Sequence, residues 1–212
     1  MSVLVVLDVD STLIQQEVIE LLADFAGVMP EVAQITDRAM SGELDFEQSL
    51  RQRVRLLAGL SADHLSSVQA QIQLTPGVTE LIQTVHEIGG KIGVVSGGFS
   101  QILDPLAISL GLDYWSANKL EQVDGKLTGE VIGEVIDAKA KALALKRWCL
   151  QSGIPLDLSI AVGDGANDVE MLQAAGFAVG FRPKPILREY ADLVIEQNSL
   201  IELVEVVKLR AS

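Results

Sequence analysis

Apolar runs bounded by polar turns recur along the chain and predict the elements of its fold. Val3–Leu7 is an unbroken, mostly β-branched run, which predicts a strand buried on both faces, as in the centre of a parallel sheet. Shorter runs predict further strands at residues 91–95, 159–162, 177–180 and 193–195. Segments with apolar residues at helical spacing separate these runs. The alternation predicts an α/β fold built on a doubly wound parallel sheet.

Two stretches depart from this alternation. Residues 15–75 carry helical patterns without a strand pattern, and Pro76-Gly77 marks the return to the alternating part. We therefore predict a core formed by residues 1–14 and 76–212, with a small helical unit of residues 15–75 inserted after the first strand. Apolar and polar residues alternate on both sides of Asp124-Gly125, which predicts a β-hairpin.

The charge balance narrows the possible partners. The chain has 16 Lys and Arg against 29 Asp and Glu, a net charge of -13, which argues against nucleic acid or an anionic membrane as a partner. The single Cys149 excludes an internal disulfide and fits a reducing compartment. Asp8 and Asp10 interrupt the apolar start that a signal peptide would need, and no apolar segment approaches membrane-spanning length. We expect a cytoplasmic protein.

Polar residues and glycines follow three of the predicted strands. They are Asp8 and Asp10 after the first strand, Ser96, Gly97 and Gly98 after the second, and Asp164, Asn167 and Asp168 after the third. The carboxyl ends of parallel strands meet at one edge of a sheet, and ligands bind at that edge. We predict that the active site lies there.

The residue types at these strand ends favour phosphate chemistry assisted by a metal. Asp8, Asp10 and Asp164 supply only oxygen ligands, which suit Mg²⁺ better than zinc. The turn at Ser96 offers a hydroxyl and open backbone N–H groups for phosphate oxygens. A positive group is also needed, and either Lys139 or Lys141 can supply it. Because the two lysines are two positions apart on a predicted helix, only one of them can face the site.

Proton transfer must come from a carboxylate or a lysine, because His64 and His86 both fall on helical segments away from the glycine turns. Asp8 is the best-placed nucleophile, and its attack on a phosphate ester would give an aspartyl-phosphate. Asp10 could protonate the leaving alkoxide and later deprotonate the attacking water. A neighbouring anion would help Asp10 by raising its pKa.

In this order along the chain, the motifs around Asp8, Ser96, Lys141 and Asp164 resemble those of the haloacid dehalogenase-type phosphatases. Within that family, the chain is most similar to the phosphatases that act on phosphoserine. The similarity extends over almost the whole chain and includes Glu17 and the segments Ala39–Phe46, Ser49–Val54 and Asp124–Gly129. The resemblance implies a haloacid dehalogenase-like core with a helical cap, formed by the insertion, that closes over the substrate.

The resemblance also implies a role for each motif residue. Asp8 would be the nucleophile and Asp10 the acid and base. Mg²⁺ would be held by the side chains of Asp8 and Asp164 and by the backbone carbonyl of Asp10, with Asp168 supporting the site without binding the metal. The implied phosphate ligands are Ser96, Gly97, Gly98 and Lys141, with Asn167 nearby. Lys141, rather than Lys139, falls at the position of the family's lysine.

Four residues of the insertion fit a phosphorylated amino acid. Arg53 can hold an α-carboxylate with two hydrogen bonds, and Glu17 can pair with an α-ammonium group. Met40 and Phe46 would close the site with apolar surface and exclude water from the phosphorylated intermediate. This pattern of charges matches a zwitterion and argues against a sugar phosphate.

The function that the resemblance implies is Mg²⁺-dependent hydrolysis of O-phospho-L-serine to L-serine and phosphate, the last step of serine biosynthesis, by a monomer or homodimer. One alternative keeps the chemistry and changes the substrate to phosphothreonine or phosphohomoserine. Discrimination by side-chain length cannot be read from sequence, because one methylene is worth only about 1–3 kcal/mol in a pocket. A receiver-like phospho-aspartate signalling module is the alternative from another class. That alternative leaves the insertion and Asp10 without a role.

Overall fold

A computed structural model describes residues 2–40 and 43–211 of the chain. These residues form a seven-stranded sheet in the order β4-β3-β2-β1-β5-β6-β7. All neighbouring strands pair in parallel except β3 and β4, which are antiparallel. The strands are β1 (Leu4–Leu7), β2 (Lys91–Phe99), β3 (Tyr114–Val123), β4 (Lys126–Ile132), β5 (Ser159–Gly163), β6 (Phe177–Phe181) and β7 (Leu193–Ile195).

Nine α-helices in the described part of the chain surround or extend this sheet. They are α1 (Val18–Ala26), α2 (Met29–Met40), α3 (Phe46–Arg55), α4 (Asp63–Gln69), α5 (Val78–Glu87), α6 (Ser100–Leu110), α7 (Ala138–Ser152), α8 (Val169–Ala174) and α9 (Ile201–Ala211). None of these helices has the length and apolar character that crossing a membrane requires.

The alternating side chains of β1 pack into two separate cores. Val5 and Leu7 belong to the core that also contains residues of α5, α6 and α9, whereas Leu4 and Val6 belong to the core with α7 and α8. All four side chains are completely buried, and β1 pairs with β2 on one side and β5 on the other. The predicted α/β fold with a parallel sheet buried on both faces is confirmed.

Helices α1–α4 lie between β1 and β2 in the chain, where the sequence predicts a helical insertion. The described residues of this segment form no strand. They make only two isolated bridges, in which Ile14 pairs with Leu74 and Ser61 pairs with Lys126. The first bridge joins the segment that leaves the sheet after β1 to the segment that leads back to it before α5. The division into a core and a cap at residues 15–75 stays a prediction.

The predicted hairpin forms and also supports the insertion. Asp124 and Gly125 both adopt positive φ angles, 49° and 72°, as a two-residue turn between antiparallel strands requires. The backbone of Leu127 in β4 then exchanges hydrogen bonds with the segment after α3, accepting from Gly59 at 2.8 Å and donating to Leu60 at 2.9 Å. Hydrophobic periodicity did not predict this contact, because the contact depends on where two distant segments meet.

The second strand is longer than its apolar pattern predicts. The pattern predicts residues 91–95, but β2 extends to Phe99 and includes Ser96, Gly97 and Gly98. The pairing of β2 with β3 shifts register between Ser96 and Phe99. Ser96, Gly97 and Gly98 therefore lie within the end of β2 rather than in a turn after it.

Candidate active site

Three buried carboxylates meet beyond the ends of β1 and β5. Asp8 follows β1 directly, Asp164 follows β5, and Asp168 ends the single turn after Asp164. One oxygen from each carboxylate lies within 4.8 Å of the others. The parallel pairing of β1 with β5 explains this meeting, because it brings the two strand ends to the same edge.

Lys141 carries the positive charge inside this cluster. It lies in the first turn of α7, is completely buried, and its Nζ donates to Asp8 Oδ1 at 2.6 Å and to Asp168 Oδ1 at 2.7 Å. Asp137 caps the helix by accepting from the backbone N–H of Ala140 at 2.8 Å. Lys139 is exposed on another side of the helix. The structure therefore brings only one of the two candidate lysines to the strand ends.

Asp168 connects Lys141 to the backbone that follows β5. Its Oδ2 accepts from the backbone N–H groups of Asp164 at 3.1 Å and Gly165 at 3.2 Å, while Oδ1 accepts from Lys141. A Cβ on Gly163 would collide with the Asp168 carboxylate, so only glycine leaves room for it. Because both oxygens of Asp168 already accept hydrogen bonds, three in all, Asp168 has less capacity for a metal than Asp8 or Asp164.

Negative charge in the cluster is only partly neutralised. Burial raises the pKa of Asp8 well above its ordinary value and Asp168 adds to this, whereas Lys141 opposes it. Burial also raises the pKa of Asp164. A cation between such groups would relieve their repulsion, and a set of oxygen donors suits a hard divalent ion. The cluster can therefore hold a metal ion.

Asp10 lies in the irregular turn Val9–Leu13, in which Ser11 adopts a φ of 56°. Its Oδ1 accepts a long hydrogen bond of 3.4 Å from the backbone N–H of Val18, at the start of α1. Burial, with a further contribution from Glu17, raises the pKa of Asp10 to about 8. A carboxyl group with this pKa carries a proton at neutral pH and can give it to a leaving group.

The end of β2 completes the edge beside Asp10. The buried Ser96 accepts a hydrogen bond from the backbone N–H of Gly98 at 2.7 Å through its Oγ. A Cβ on Gly98 would lie 3.0 Å from both Ser96 Oγ and Asp10 Oδ2. The missing side chain thus allows the strand backbone to approach the two polar groups closely.

A buried amide that sequence reasoning missed holds this strand end in place. Asn118 of β3 donates from Nδ2 to the carbonyl of Gly97 at 2.8 Å, and its Oδ1 accepts from the backbone N–H of Ile136 at 2.8 Å. It therefore links β2 to the segment that leads into α7. An asparagine within an alternating strand gives no sequence signal for this role.

Helix α3 of the insertion brings an aromatic ring over the same strand end. Asp45 caps the helix by accepting from the backbone N–H of Gln48 at 2.8 Å, and Phe46 is the first helical residue. A Cβ on Gly97 would lie 2.7 Å from Phe46 Cζ. The ring thus packs directly against the glycine.

Two charged residues of the insertion lie within electrostatic reach of the site. Glu17 Oε1 accepts from the hydroxyl of Ser11 at 2.7 Å. Arg53, half-buried in α3, donates from Nε to the carbonyl of Ser49 at 3.3 Å. Burial lowers the pKa of Arg53, while Glu17 and Asp10 act in the opposite direction. The guanidinium therefore lies within electrostatic reach of both carboxylates.

Comparison with known proteins identifies the family of this chain. A model of the haloacid dehalogenase-like hydrolases matches residues 5–173. The chain belongs to this family. The resemblance inferred from the sequence motifs is confirmed, and so is the fold class of the core.

Several relatives of this hydrolase are phosphoserine phosphatases. The one from Streptomyces coelicolor is 55% identical over 192 residues, which is 91% of the chain but 47% of the relative, so the chain spans about half of that protein. The one from Streptococcus thermophilus is 47% identical, and the match covers 96% of the chain and 94% of the relative. A solved structure of a phospho-aspartyl intermediate analogue of phosphoserine phosphatase is 44% identical, with a TM-score of 0.92 and coverage of 97% and 99% of the two chains.

Two of the predicted site residues of the hydrolase, Asn167 and Met40, are not shown bonded to the carboxylate cluster. Asn167 lies beside Gly165, where a Cβ would be 2.9 Å from its Oδ1, and makes no hydrogen bond recorded for its side chain within the described residues. The side chain of Met40 lies outside the part that the structure describes. The roles assigned to Asn167, Met40 and the other site residues stay predictions.

A second lysine at the site was missed in the sequence. Lys184 follows β6, and its Nζ lies 3.3 Å from Asp164 Oδ2. The sequence contains a hint, because Lys184 lies just after the predicted strand that follows the one ending at Asp164. Without the strand order, Lys184 could not be distinguished from an ordinary surface lysine.

Proposed function

We propose that the chain is a Mg²⁺-dependent phosphoserine phosphatase that hydrolyses O-phospho-L-serine to L-serine and phosphate, the last step of serine biosynthesis. The observation that carries the proposal is the buried Asp8 carboxylate, paired with Lys141 at 2.6 Å at the strand edge that Arg53 and Glu17 face. Phosphoserine phosphatases among the relatives support the choice of substrate.

Asp8 is the proposed nucleophile. One of its carboxylate oxygens attacks the phosphorus atom, the bond from phosphorus to the serine oxygen breaks, and an aspartyl-phosphate forms on Asp8. Asp10, protonated at neutral pH, gives its proton to the departing serine oxygen. In the second half, Asp10 takes a proton from the water that attacks the phosphorus, and inorganic phosphate leaves with the Asp8 carboxylate restored.

Positive charge and backbone donors would stabilise the phosphoryl group during both halves. Lys141 already contacts Asp8, so its ammonium lies beside the carboxylate on which the phosphoryl group forms. At the neighbouring strand end, Ser96 would contribute its hydroxyl and Gly97 its backbone N–H, while the N–H of Gly98 donates to Ser96 Oγ at 2.7 Å. The Asp8 and Asp164 carboxylates and the Asp10 carbonyl would hold Mg²⁺, which, when bound, neutralises negative charge on the phosphate.

The insertion would select the substrate and exclude water. Arg53 would bind the α-carboxylate and Glu17 the α-ammonium group, and their opposite charges match the zwitterionic end of phosphoserine. Phe46, packed against Gly97, would cover the phosphorylated intermediate, and Met40 would add apolar surface. Because one methylene changes binding only modestly, discrimination against phosphothreonine requires measurement.

We further propose that the protein acts in the cytoplasm on a small phosphorylated amino acid, as a monomer or homodimer, without a nucleic-acid or membrane partner. The net charge of -13 supports the absence of anionic macromolecular partners. The unpaired and buried Cys149 supports a reducing compartment.

Phosphate release from a panel of phosphomonoesters tests the proposal. The panel contains O-phospho-L-serine, phosphothreonine, phosphohomoserine and p-nitrophenyl phosphate, each with Mg²⁺ and with excess chelator. We expect selectivity for phosphoserine and loss of turnover with chelator. Asp8→Asn should lower kcat by roughly 10⁴-fold or more, the scale expected for a lost nucleophile. Asp157→Asn, at an exposed position away from the site, is the matched control.

Each competing outcome points to a different function. Robust turnover by Asp8→Asn would exclude the covalent mechanism. Preference for phosphothreonine or phosphohomoserine would keep the chemistry and change the substrate. Stable labelling of Asp8 by a phosphodonor, without turnover of any phosphomonoester, would indicate the receiver-like module.

A further inference from the structure

Lys184 touches the candidate metal site twice. Its backbone N–H donates to the carbonyl of Asp164 at 2.8 Å, and its side-chain Nζ lies 3.3 Å from Asp164 Oδ2. The stem of the side chain runs past Gly165, where a Cβ would lie 3.9 Å from Lys184 Cδ and 3.5 Å from Nζ. The ends of β5 and β6 are therefore joined at the residue proposed to bind the metal.

The segment that carries Lys184 is held in an unfavourable backbone conformation. Arg182 adopts a φ of 44°, a left-handed value that is uncommon outside glycine. Its backbone N–H donates to the carbonyl of Ile195 in β7 at 2.7 Å, and its guanidinium donates to Asn198 Oδ1 at 3.2 Å. Contacts to Ile195 and Asn198 therefore hold Arg182, two residues before Lys184, in this conformation.

Lys184 and Lys141 differ in how firmly they are held. Lys141 is completely buried and donates to two carboxylates, whereas the Lys184 side chain is 51% exposed and has a single ion pair among the described residues. Burial lowers the pKa of Lys184, but Asp164 and Glu17 outweigh it and raise the pKa overall. The charge of Lys184 therefore faces the acidic cluster while its side chain keeps access to solvent.

We propose that Lys184 is a positioning residue, a tethered cation that holds Asp164 and competes with the divalent metal ion for this carboxylate. The inference rests on the proposed Mg²⁺ site. It adds that Lys184 sets the affinity of this site for Mg²⁺. A positive charge next to a metal ligand repels an incoming cation and so weakens its binding to that carboxylate. The positive charge of Lys184 also attracts an anionic phosphate, so it favours binding of the metal and phosphate together.

Calorimetric titration of Mg²⁺ into the metal-free protein, without substrate, tests this inference independently of turnover. We expect Lys184→Met to bind Mg²⁺ roughly 3- to 10-fold more tightly than the wild type, a modest change because a half-exposed charge is screened by solvent. Lys184→Arg keeps the charge and should restore the wild-type affinity. Lys208→Met is the matched control, since Lys208 is 53% exposed and pairs with a single carboxylate in α9.

A second titration uses inorganic phosphate with Mg²⁺ at saturation, and here Lys184→Met should bind more weakly than the wild type. Equal or weaker Mg²⁺ binding by Lys184→Met would overturn the inference while leaving the proposed Mg²⁺ site intact. Failure of the wild type to bind Mg²⁺ would overturn both. Tighter Mg²⁺ binding by Lys208→Met as well would show a general charge effect and would also overturn the inference.

Discussion

The sheet edge and the helical insertion both contribute polar groups to the site, but they hold these groups differently. At the sheet edge, Asp8, Lys141 and Asp168 are buried and bonded to one another, so their positions are determined before any ligand arrives. In the insertion, Arg53 and Glu17 are only partly buried. Among the described residues, the Arg53 side chain donates to the carbonyl of Ser49 and the Glu17 side chain accepts from Ser11.

This difference separates two tasks of the proposed enzyme. Groups that stabilise a transition state work best when they are already oriented in a water-poor environment, as at the sheet edge. Groups that recognise a substrate must keep hydrogen-bonding capacity for it, as Arg53 does with most of its five N–H donors. Substitutions at the edge should therefore reduce both folding stability and turnover, whereas substitutions in the insertion should mainly reduce substrate affinity.

The largest effect is expected for Lys141→Met, which removes the buried cation and leaves Asp8 and Asp168 facing each other. Breaking a buried ion pair from one side costs about 3–5 kcal/mol of unfolding free energy. Urea denaturation measures this cost. Lys139→Met, an exposed position two residues earlier in α7, should change stability by no more than about 0.5 kcal/mol. Similar stabilities for the two variants would contradict the description of the edge as a bonded network.

A smaller and more selective effect is expected for Arg53→Ala. Loss of a charged hydrogen-bonding partner is worth about 1.5–3 kcal/mol, so the KM for phosphoserine should rise roughly 10- to 100-fold. The KM for p-nitrophenyl phosphate, which has no carboxylate, should change little. Arg55→Ala is the control, because Arg55 lies at the end of the same helix and pairs with Glu130 at the surface. Equal increases for both substrates would remove Arg53 from carboxylate recognition.

The third effect concerns the titration of the sheet edge without metal. The raised pKa of Asp10, about 8, means that the folded protein binds a proton in a range where the unfolded chain has lost it. Unfolding free energy in chelator should therefore fall as the pH rises from about 4 to about 8. For one carboxyl group with this pKa, the fall between pH 6 and 8 is about 2 kcal/mol. Asp10→Asn should flatten this dependence, and an unchanged slope would assign the titration to other groups.

Local patterns predicted most of the sheet edge because its chemistry follows directly after buried strands. The apolar run before Asp8 and the one before Asp164 could each be recognised from a few residues, and the parallel sheet then required their ends to meet. The choice between Lys139 and Lys141 was different. Residue spacing showed that only one could face the site, and the resemblance to a family pointed to Lys141, which the structure brings to Asp8.

The contacts that prediction missed all join segments distant in the chain. Asn118 links β2 to the start of α7, Leu127 links the hairpin to the insertion, and Lys184 links β6 to Asp164. None of these contacts has a periodic signal, because each depends on strand order and on how far a loop reaches. The lengthening of β2 through Gly98 was missed for a similar reason, since it depends on pairing with β3.

The sequence by itself determined the alternation of strands and helices, the helical character of the insertion, and which carboxylates follow buried strands. These properties depend on hydrophobic periodicity and on residue type, which are local. Only the tertiary structure decided that Lys141 is buried between Asp8 and Asp168, that Phe46 packs on Gly97, and that Lys184 reaches Asp164. Those outcomes depend on distances between elements, which no pattern within one element contains.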